Sequence, residues 1–469
     1  MSAAIDSLAP RAERWYRAVW RWHFYAGLFC VPFVVWLSVT GGIYLFKPQI
    51  EAALYAPYRH VATGAAPRLS PDEIAERAVA AVPGSVLHKY VLPEAPDDAV
   101  QVLVGQGSKD VRVWVHPHSG AVLYQVPEED RLMRIVFRLH GELLAGNWGS
   151  AVVEAAACWT VVMLLTGLFL WWPRGTSRLA GVLWPRLRKG SALFWRDLHA
   201  VTGLWITLGA LFLISSGLPW ANAWGSYLRE VRSVAGATTG RQDWSAGATA
   251  DARARAQADA GMRAMMSEHA EHGGMTMAHM HHQAPAALDA VVASAERLGF
   301  AAPVEVSPPT GDGLPWQVRS QAENRPRRDS AEIAGDGTLV GVQRFAGRPL
   351  LDRAVGYGVA IHEGAWAGLA NQLVNVAVLL GLVTLSLSSV VLWWRRRPKG
   401  QLGAPAPLAP LRHSWALVTL VLLMALLMPL FGLSLALALI VEQALKRLAP
   451  TLLHWMGWRP LPVVAANRE

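Results

Sequence analysis

Long apolar runs alternate with long polar segments along the chain. An α-helix needs about 20 apolar residues to cross a hydrocarbon layer about 30 Å thick, and several of these runs are long enough. The composition agrees, since 53% of residues are hydrophobic and only 16% are charged, and 22 are Trp, which favours membrane interfaces. The pattern predicts a mainly α membrane protein with spans at 22–46, 149–172, 198–220, 369–394 and 413–441.

Two polar segments, 47–139 and 221–361, are large enough to be domains. In the first, Ser70 followed by Glu73 is typical of a capped helix start. Stretches that alternate between apolar and polar residues follow, as in half-buried strands. The second segment repeats this plan after a Met- and His-rich insert at 262–282. The sequence therefore predicts two small α+β domains outside the membrane.

Basic residues are concentrated beside the apolar runs, and the net charge is +9. Because Lys and Arg are enriched on the cytoplasmic side of membrane proteins, this charge indicates topology and does not indicate binding to nucleic acid. Both polar domains then lie on the outer side. The remaining segments are predicted as a cytoplasmic N-terminus (1–21), cytoplasmic loop (173–197) and linker (395–412), outer interfacial helices (140–148 and 362–368) and a C-terminal tail (442–469).

Two histidines open matched apolar runs. His23 and His199 both begin the pattern H-x-x-x-G-L, which supplies Gly27 and Gly203. A hydroxyl residue followed by glycine comes later at the same offset, since 41 − 23 = 18 and 217 − 199 = 18. Such recurrences at a fixed offset indicate an internal repeat.

A second matched pair of histidines supports the repeat. His140 and His362 each precede a Trp-Trp pair by the same distance, since 171 − 140 = 31 and 393 − 362 = 31. We interpret the chain as duplicated units of helix, extramembrane α+β domain and helix, followed by an extra C-terminal transmembrane helix. Each predicted unit carries one histidine near each of its helices.

The predicted topology pairs these histidines by depth. His23 and His199 begin outward-running spans at the cytoplasmic side, whereas His140 and His362 precede inward-running spans at the outer side. Two imidazoles at one depth can ligate one haem iron axially, so the sequence predicts two non-covalent haems b. The alternative for each histidine is an interfacial or hydrogen-bonding role, which is the commoner one for a single histidine at a helix end.

Other residues could complete the two predicted haem sites. Gly27 and Gly203 lie one turn beyond their histidines and would admit a flat macrocycle, although they could instead be helix contacts. Cys30 and Cys158 lie inside apolar runs and form no C-x-x-C-H attachment motif. Arginines are available to haem propionates at both levels, namely Arg21 and Arg196 inside and Arg138 and Arg353 outside.

The insert suggests a different chemistry. Imidazole and thioether ligands suit copper, and the alternative is a polar low-complexity loop with incidental metal affinity. The candidate metal ligands are His269, His272, Met275, Met277, His279, Met280, His281 and His282.

Taken together, these motifs resemble those of the PepSY-associated transmembrane proteins over about residues 15–397. The resemblance is carried by the His140 and His362 segments and by the ending from Thr166-Gly167 to Trp171-Trp172-Pro173-Arg174. It implies a dihaem protein of the bacterial inner membrane, with both outer domains in the periplasm and b-type haems on the four histidines. The family includes ferric-siderophore reductases.

The expected function is that of a transmembrane metalloreductase. Electrons from a cytoplasmic or quinol donor would pass from the inner to the outer haem and onto a ferric siderophore or another metal chelate. No catalytic acid or base is predicted, because the cofactor carries the chemistry, and membrane lipid is the expected surrounding. The alternatives are a copper-binding or metal-delivery membrane protein and a haem-free scaffold with PepSY-like domains.

Overall fold

The computed structural model describes residues 11–61, 67–106, 109–173, 179–234, 285–309, 313–405 and 415–457. The chain divides into two compact units. Unit 1 comprises Met1–Gly42, His140–Glu230 and Leu373–Glu469, and unit 2 comprises Ile43–Leu139 and Val231–Gln372.

Helices make up most of the described chain. They are, in order, α1 Arg11–Leu45, α2 Lys47–Arg59, α3 Pro71–Ala81, α4 Leu132–Glu142, α5 Gly146–Trp171, α6 Ser191–Gly217, α7 Asn222–Val234, α8 Pro285–Arg297, α9 Leu350–His362, α10 Leu369–Arg396, α11 Trp415–Leu427, α12 Pro429–Leu448 and α13 Pro450–Trp455. The strands are β1 Val86–Leu92, β2 Val100–Gln106, β3 Lys109–Val115, β4 Val122–Pro127, β5 Val304–Ser307, β6 Trp316–Ser320, β7 Ser330–Ile333 and β8 Leu339–Gln343.

Five of the described helices are long and apolar enough to cross a membrane. They are α1, α5, α6 with the turn that follows it to Trp220, α10 and α12. A mainly helical membrane protein is therefore confirmed. Four of these helices cover the predicted spans 22–46, 149–172, 198–220 and 369–394, except for the last residue of the first two spans.

The fifth predicted span, 413–441, is not one helix. The structure divides its described part into α11 and α12, with the break at Met428 and Pro429. Proline has no N–H for a helical hydrogen bond and disfavours helical geometry in the residue before it. Met428 accordingly has φ −132° and ψ 83°. Only α12 is long enough to be a candidate span, since α11 has 13 residues.

The two predicted interfacial helices lie elsewhere in the sequence. Helices were expected to begin at His140 and His362, but α4 and α9 end beside these residues. After α4, Leu143 and Leu144 have φ values of 50° and 57°, which are outside the helical region. After α9, Gly364 has φ +74°, a conformation that glycine adopts without strain. Each histidine therefore lies in the last turn of a helix and does not begin one.

The eight strands of the described chain form one antiparallel sheet in unit 2, in the order β4-β3-β2-β1-β5-β6-β7-β8. Two separate domains were expected, yet β1 from the first polar segment pairs directly with β5 from the second. The register joins Tyr90 to Val306 and Leu92 to Val304. The edges that two small sheets would expose are thereby paired with each other.

One hydrophobic core serves both halves of this sheet. Ile74 of α3 and Val291 of α8 are fully buried with Val102 and Val318 of the strands. The predicted start of α3 is confirmed, because Ser70 Oγ accepts a hydrogen bond from Glu73 N at 3.3 Å and Glu73 Oε2 accepts one from Ser70 N at 2.8 Å. Both halves therefore have a helix above antiparallel strands.

Candidate functional site

The structure brings His23 of α1 and His199 of α6 together inside unit 1. Their ring centroids are 6.4 Å apart, and the ring planes are almost perpendicular at 80°. The two residues are far apart in sequence and lie on different long helices. The predicted topology puts these imidazoles at one depth, and the structure places them close enough to face one ligand.

A hydroxyl group contacts each of these imidazoles. His23 Nδ1 lies 3.0 Å from Thr166 Oγ1 of α5. His199 Nδ1 lies 3.1 Å from Ser388 Oγ of α10 and 3.2 Å from the Leu385 carbonyl oxygen. Each histidine is therefore oriented by a neighbouring helix through Nδ1.

These contacts assign the position of the proton on each ring. The Leu385 carbonyl can only accept, so His199 Nδ1 carries the hydrogen. Thr166 Oγ1 donates its own hydrogen to Val162 O at 2.7 Å, which leaves the hydroxyl oxygen to accept from His23 Nδ1. In the neutral form of both rings, the lone pair then lies on Nε2 and can bind a metal.

The separation of the rings would allow both imidazoles to hold one metal. A bond of about 2.0 Å from metal to imidazole nitrogen puts the centres of two opposed rings about 6 Å apart. The observed 6.4 Å is close to this value. Neutral imidazoles held through Nδ1 are also the donor set that haem iron takes in bis-histidine sites. The residues present therefore fit the group that the sequence implies.

His140 has the same arrangement with another partner in unit 1. Its Nδ1 lies 3.0 Å from Thr40 Oγ1, and Thr40 Oγ1 donates to Trp36 O at 2.9 Å. The proton of His140 is thus assigned to Nδ1 by the same reasoning. Gly41 lies directly beside the ring, since a Cβ there would be 3.0 Å from His140 Cε1. Thr-Gly therefore supplies both a hydroxyl group and space for an imidazole.

A family model described as the PepSY-associated TM region matches residues 20–396. The chain belongs to this family. The match includes all four predicted histidine ligands, whereas α11, α12 and α13 lie outside it. No curated protein matches the chain.

In this PepSY-associated TM protein, the Thr166-Gly167 motif supplies a hydroxyl group and space for the ring of His23, as Thr40-Gly41 does for His140. A Cβ at Gly167 would lie 3.3 Å from His23 Cε1. Neither Thr166 nor Thr40 was predicted to contact a histidine, and Ser388 was not among the predicted site residues. A signal was present, because Thr166 and Ser388 each precede a Trp-Trp pair by five residues, 171 − 166 = 5 and 393 − 388 = 5.

His362 is the last residue of α9 and is half-buried in unit 2. The turn after it is fixed on both sides. Glu363 accepts from Arg325 Nη2 at 3.1 Å, and Asn371 Nδ2 donates to the Ile361 carbonyl at 3.0 Å. Burial alone would raise the pKa of Glu363, but the Arg325 guanidinium more than offsets it, and the pKa is lowered. A charged pair therefore anchors the chain beside this histidine.

The predicted glycines and inner arginines make contacts within unit 1. A Cβ at Gly27 would lie 3.8 Å from Met163 Cε, and one at Gly203 would lie 3.6 Å from Leu385 Cδ2, so both glycines face neighbouring helices. Arg21 is buried and donates to the Pro405 and Gly457 carbonyls. Arg196 is largely exposed and pairs with Asp197 at 2.9 Å.

The predicted outer arginines are both in unit 2. Arg138 pairs with Glu129 at 3.6 Å. Arg353 has a buried Nε with no hydrogen-bond partner among the described residues. The Nε–H group of Arg353 therefore remains available to donate a hydrogen bond.

Asp197 is a buried acid at the end of the predicted cytoplasmic loop 173–197, and it was not among the predicted site residues. Its side chain is fully buried and accepts two hydrogen bonds from the Arg186 guanidinium, at 2.6 and 2.8 Å, and one from Arg186 N at 3.1 Å, besides those from Arg196. It lies two residues before His199 on α6. This pair therefore fixes the loop before α6 to the start of the helix that carries His199.

The predicted Met/His metal site lies outside the described residues. All eight of its candidate ligands, from His269 to His282, belong to this part of the chain. The copper-binding hypothesis therefore stays a prediction from the sequence.

Proposed function

We propose that this protein is an inner-membrane dihaem electron-transfer protein that reduces ferric chelates such as siderophores in the periplasm. The observation that carries the proposal is the pair of imidazoles of His23 and His199, 6.4 Å apart on two membrane-length helices. Membership of the PepSY-associated TM family is consistent with it.

When bound, haem would supply one-electron redox chemistry at each site. The chain's own residues hold and orient the ligands. Thr166 and Ser388 fix the His23 and His199 rings through Nδ1, and this keeps the Nε2 lone pairs available. The protein needs no acid or base for this role, because electron transfer to a chelate moves no proton on its side chains.

The second haem is proposed on His140 and His362 from their matched sequence contexts. The tautomer assigned to His140 through Thr40 supports a ligand role for it. The duplicated arrangement of the chain is part of the same proposal. Its support is that Thr166 and Ser388 occupy equivalent positions before their Trp-Trp pairs and both contact a histidine.

The first experiment is to purify the full-length protein in detergent and to quantify haem by the pyridine haemochrome method. We expect two haems b per chain and a low-spin bis-histidine spectrum. Colourless protein would overturn the proposal. If that protein carried copper, metal binding would replace it; if it carried no metal, a scaffold role would replace it.

Single substitutions assign the haems to ligand pairs. His23→Ala or His199→Ala is expected to lower the haem content from two to one by removal of the inner haem, and His140→Ala or His362→Ala by removal of the outer haem. His454→Ala is the matched control, because His454 is an exposed histidine in α13, and it should keep both haems. Loss of both haems in every variant, in otherwise folded protein, would contradict the proposed pairing.

The substrate is tested with protein reduced by dithionite in the absence of oxygen. We expect ferric siderophores to reoxidise the reduced spectrum at least tenfold faster than buffer alone, and a ferrous-iron chelator to report the Fe²⁺ product. Cupric complexes are run in parallel. Reoxidation by cupric complexes alone would retain the haem sites but refute the ferric substrate.

A further inference from the structure

Outside the histidine sites, one cluster in unit 2 brings an imidazole and two carboxylates together. His60 follows α2, and Asp97 and Asp98 lie in the connection between β1 and β2. His60 Nδ1 is 3.0 Å from Asp98 Oδ1 and 3.4 Å from Asp97 Oδ2. One ligand atom from each residue lies within 4.8 Å of the other two.

The backbone fixes this cluster. His60 and Asp98 form an isolated antiparallel bridge, in which Val61 N donates to Asp97 O and Ala99 N donates to Arg59 O, both at 2.8 Å. Asp98 Oδ2 also accepts from the Glu94 and Ala95 amides at 3.2 and 3.0 Å. The donor set is therefore held by main-chain contacts, although its histidine is largely exposed.

An unsatisfied oxygen points to a ligand. The Asp98 side chain is only 7% exposed, and its Oδ1 atom is buried without a hydrogen-bond partner among the described residues. A buried carboxylate oxygen in this condition costs free energy unless a proton or cation satisfies it. This oxygen faces His60 Nδ1 at 3.0 Å without hydrogen-bond geometry, so a shared cation would satisfy both atoms.

The separations agree with one shared ion. With metal–ligand bonds of about 2.1 Å, two donor atoms lie about 3.0 Å apart at a right angle and about 3.4 Å apart at a tetrahedral angle. The two distances from His60 Nδ1 match these values. One nitrogen and two carboxylate oxygens suit divalent ions such as Mn²⁺, Fe²⁺ and Zn²⁺ better than Cu⁺, which prefers sulfur.

We propose that His60, Asp97 and Asp98 form a binding site for a divalent transition-metal ion on the extramembrane domain. Water would complete the coordination on the exposed side of His60. The site uses none of the residues of the Met/His insert. Neither haem nor electron transfer enters this inference, so it stands or falls independently of the proposed function.

The test is a titration of full-length, chelator-stripped protein with Mn²⁺, followed by electron paramagnetic resonance of the free ion. Mn²⁺ is chosen because it prefers oxygen ligands, whereas the candidate ligands of the insert are imidazoles and thioethers. We expect one saturable site, with affinity at least tenfold weaker in His60→Ala and Asp98→Asn. Because His60 is exposed, its substitution should leave the fold intact even if Asp98→Asn does not.

Glu94→Gln is the matched control. Glu94 is a carboxylate in the same connection, but it pairs with Arg59 at 3.4 Å and is not one of the three ligands. Its substitution should change the Mn²⁺ affinity less than twofold. Wild-type affinity in His60→Ala would overturn the proposal, and so would equal weakening in Glu94→Gln, because the binding would then be diffuse attraction to acidic groups.

Discussion

At the scale of single residues, the hydroxyl partners of the histidines are the informative finding. Three imidazoles, those of His23, His140 and His199, each have Nδ1 within 3.1 Å of a Thr or Ser oxygen. Outer partners of this kind orient a metal-binding ring and fix its tautomer, and their loss typically costs 10- to 100-fold in metal affinity. Thr166, Thr40 and Ser388 therefore each position a proposed ligand.

The substitution Thr166→Val tests this role. It removes the oxygen that accepts from His23 Nδ1 and leaves the shape almost unchanged. We expect haem at the His23–His199 site to be lost about tenfold more readily to apomyoglobin, and the reduction potential of that haem to shift. The potential is the decisive measurement, because a purely structural role would not alter it selectively.

Thr160→Val is the matched control for that substitution. Thr160 is also on α5 and donates to the carbonyl four residues earlier, at 2.7 Å, as Thr166 does. No histidine contact of Thr160 is present among the described residues. Equal changes in Thr160→Val and Thr166→Val would mean that the effect arises from the helix backbone and not from His23.

At the scale of elements, the close approach of α3 to α8 creates a carboxylate pair. Asp72 N donates to Asp289 Oδ1 at 3.0 Å, so the two acids lie side by side. Burial, and then the Asp289 carboxylate, raise the pKa of Asp72 to about 7. The folded state therefore favours the protonated form of Asp72, whereas in an unfolded chain Asp ionises near a pKa of about 3.9.

This shift predicts a pH dependence of stability. Between about pH 4 and pH 7 the folded state binds the proton more tightly than the unfolded state, so the free energy of unfolding should fall as the pH rises. Asp72→Asn should remove this dependence and raise the melting temperature at pH 8 but not at pH 4. Thermal unfolding across this range measures it.

Glu296→Gln on α8 serves as the control, since Glu296 is exposed. It should retain the wild-type pH profile. A profile of Asp72→Asn parallel to that of the wild type from pH 4 to pH 8 would show that the carboxylate pair does not govern stability.

Also at the element scale, proline decides where the fifth predicted span is interrupted. The run 413–441 has no charged residue between Trp415 and Val441, so hydropathy alone predicts one helix. The break at Pro429 follows from a missing N–H and from the restricted backbone of Met428. Pro429 is visible in the sequence, but a proline within a membrane helix often only kinks the helix. Pro32, for example, lies within α1 and does not interrupt it.

At the scale of the whole molecule, the shared sheet makes the two polar segments of unit 2 one folding unit. The β1–β5 pairing and the common core join residues that the sequence assigned to separate domains. A substitution that destabilises the second segment should therefore also destabilise the first.

Ile333→Ala tests that coupling. Ile333 is fully buried in β7, and its truncation should destabilise the sheet by about 2–5 kcal/mol. Hydrogen exchange measured by mass spectrometry should accelerate in β1–β4 as well as in β5–β8. Val340→Ala, at a position 59% exposed in β8, should change neither half. Acceleration confined to β5–β8 would show two independent domains.

The sequence by itself determined the class of the molecule, four of its five long helices, the capped start of α3 and the histidines worth examining. These follow from hydropathy, helix-capping chemistry and internal offsets, which are local properties of the chain. Only the tertiary structure decided that β1 pairs with β5, that Thr166 and Ser388 contact His23 and His199, and that His60 meets Asp97 and Asp98. Such contacts join residues distant in sequence, and periodicity along one element carries no information about which other element packs against it.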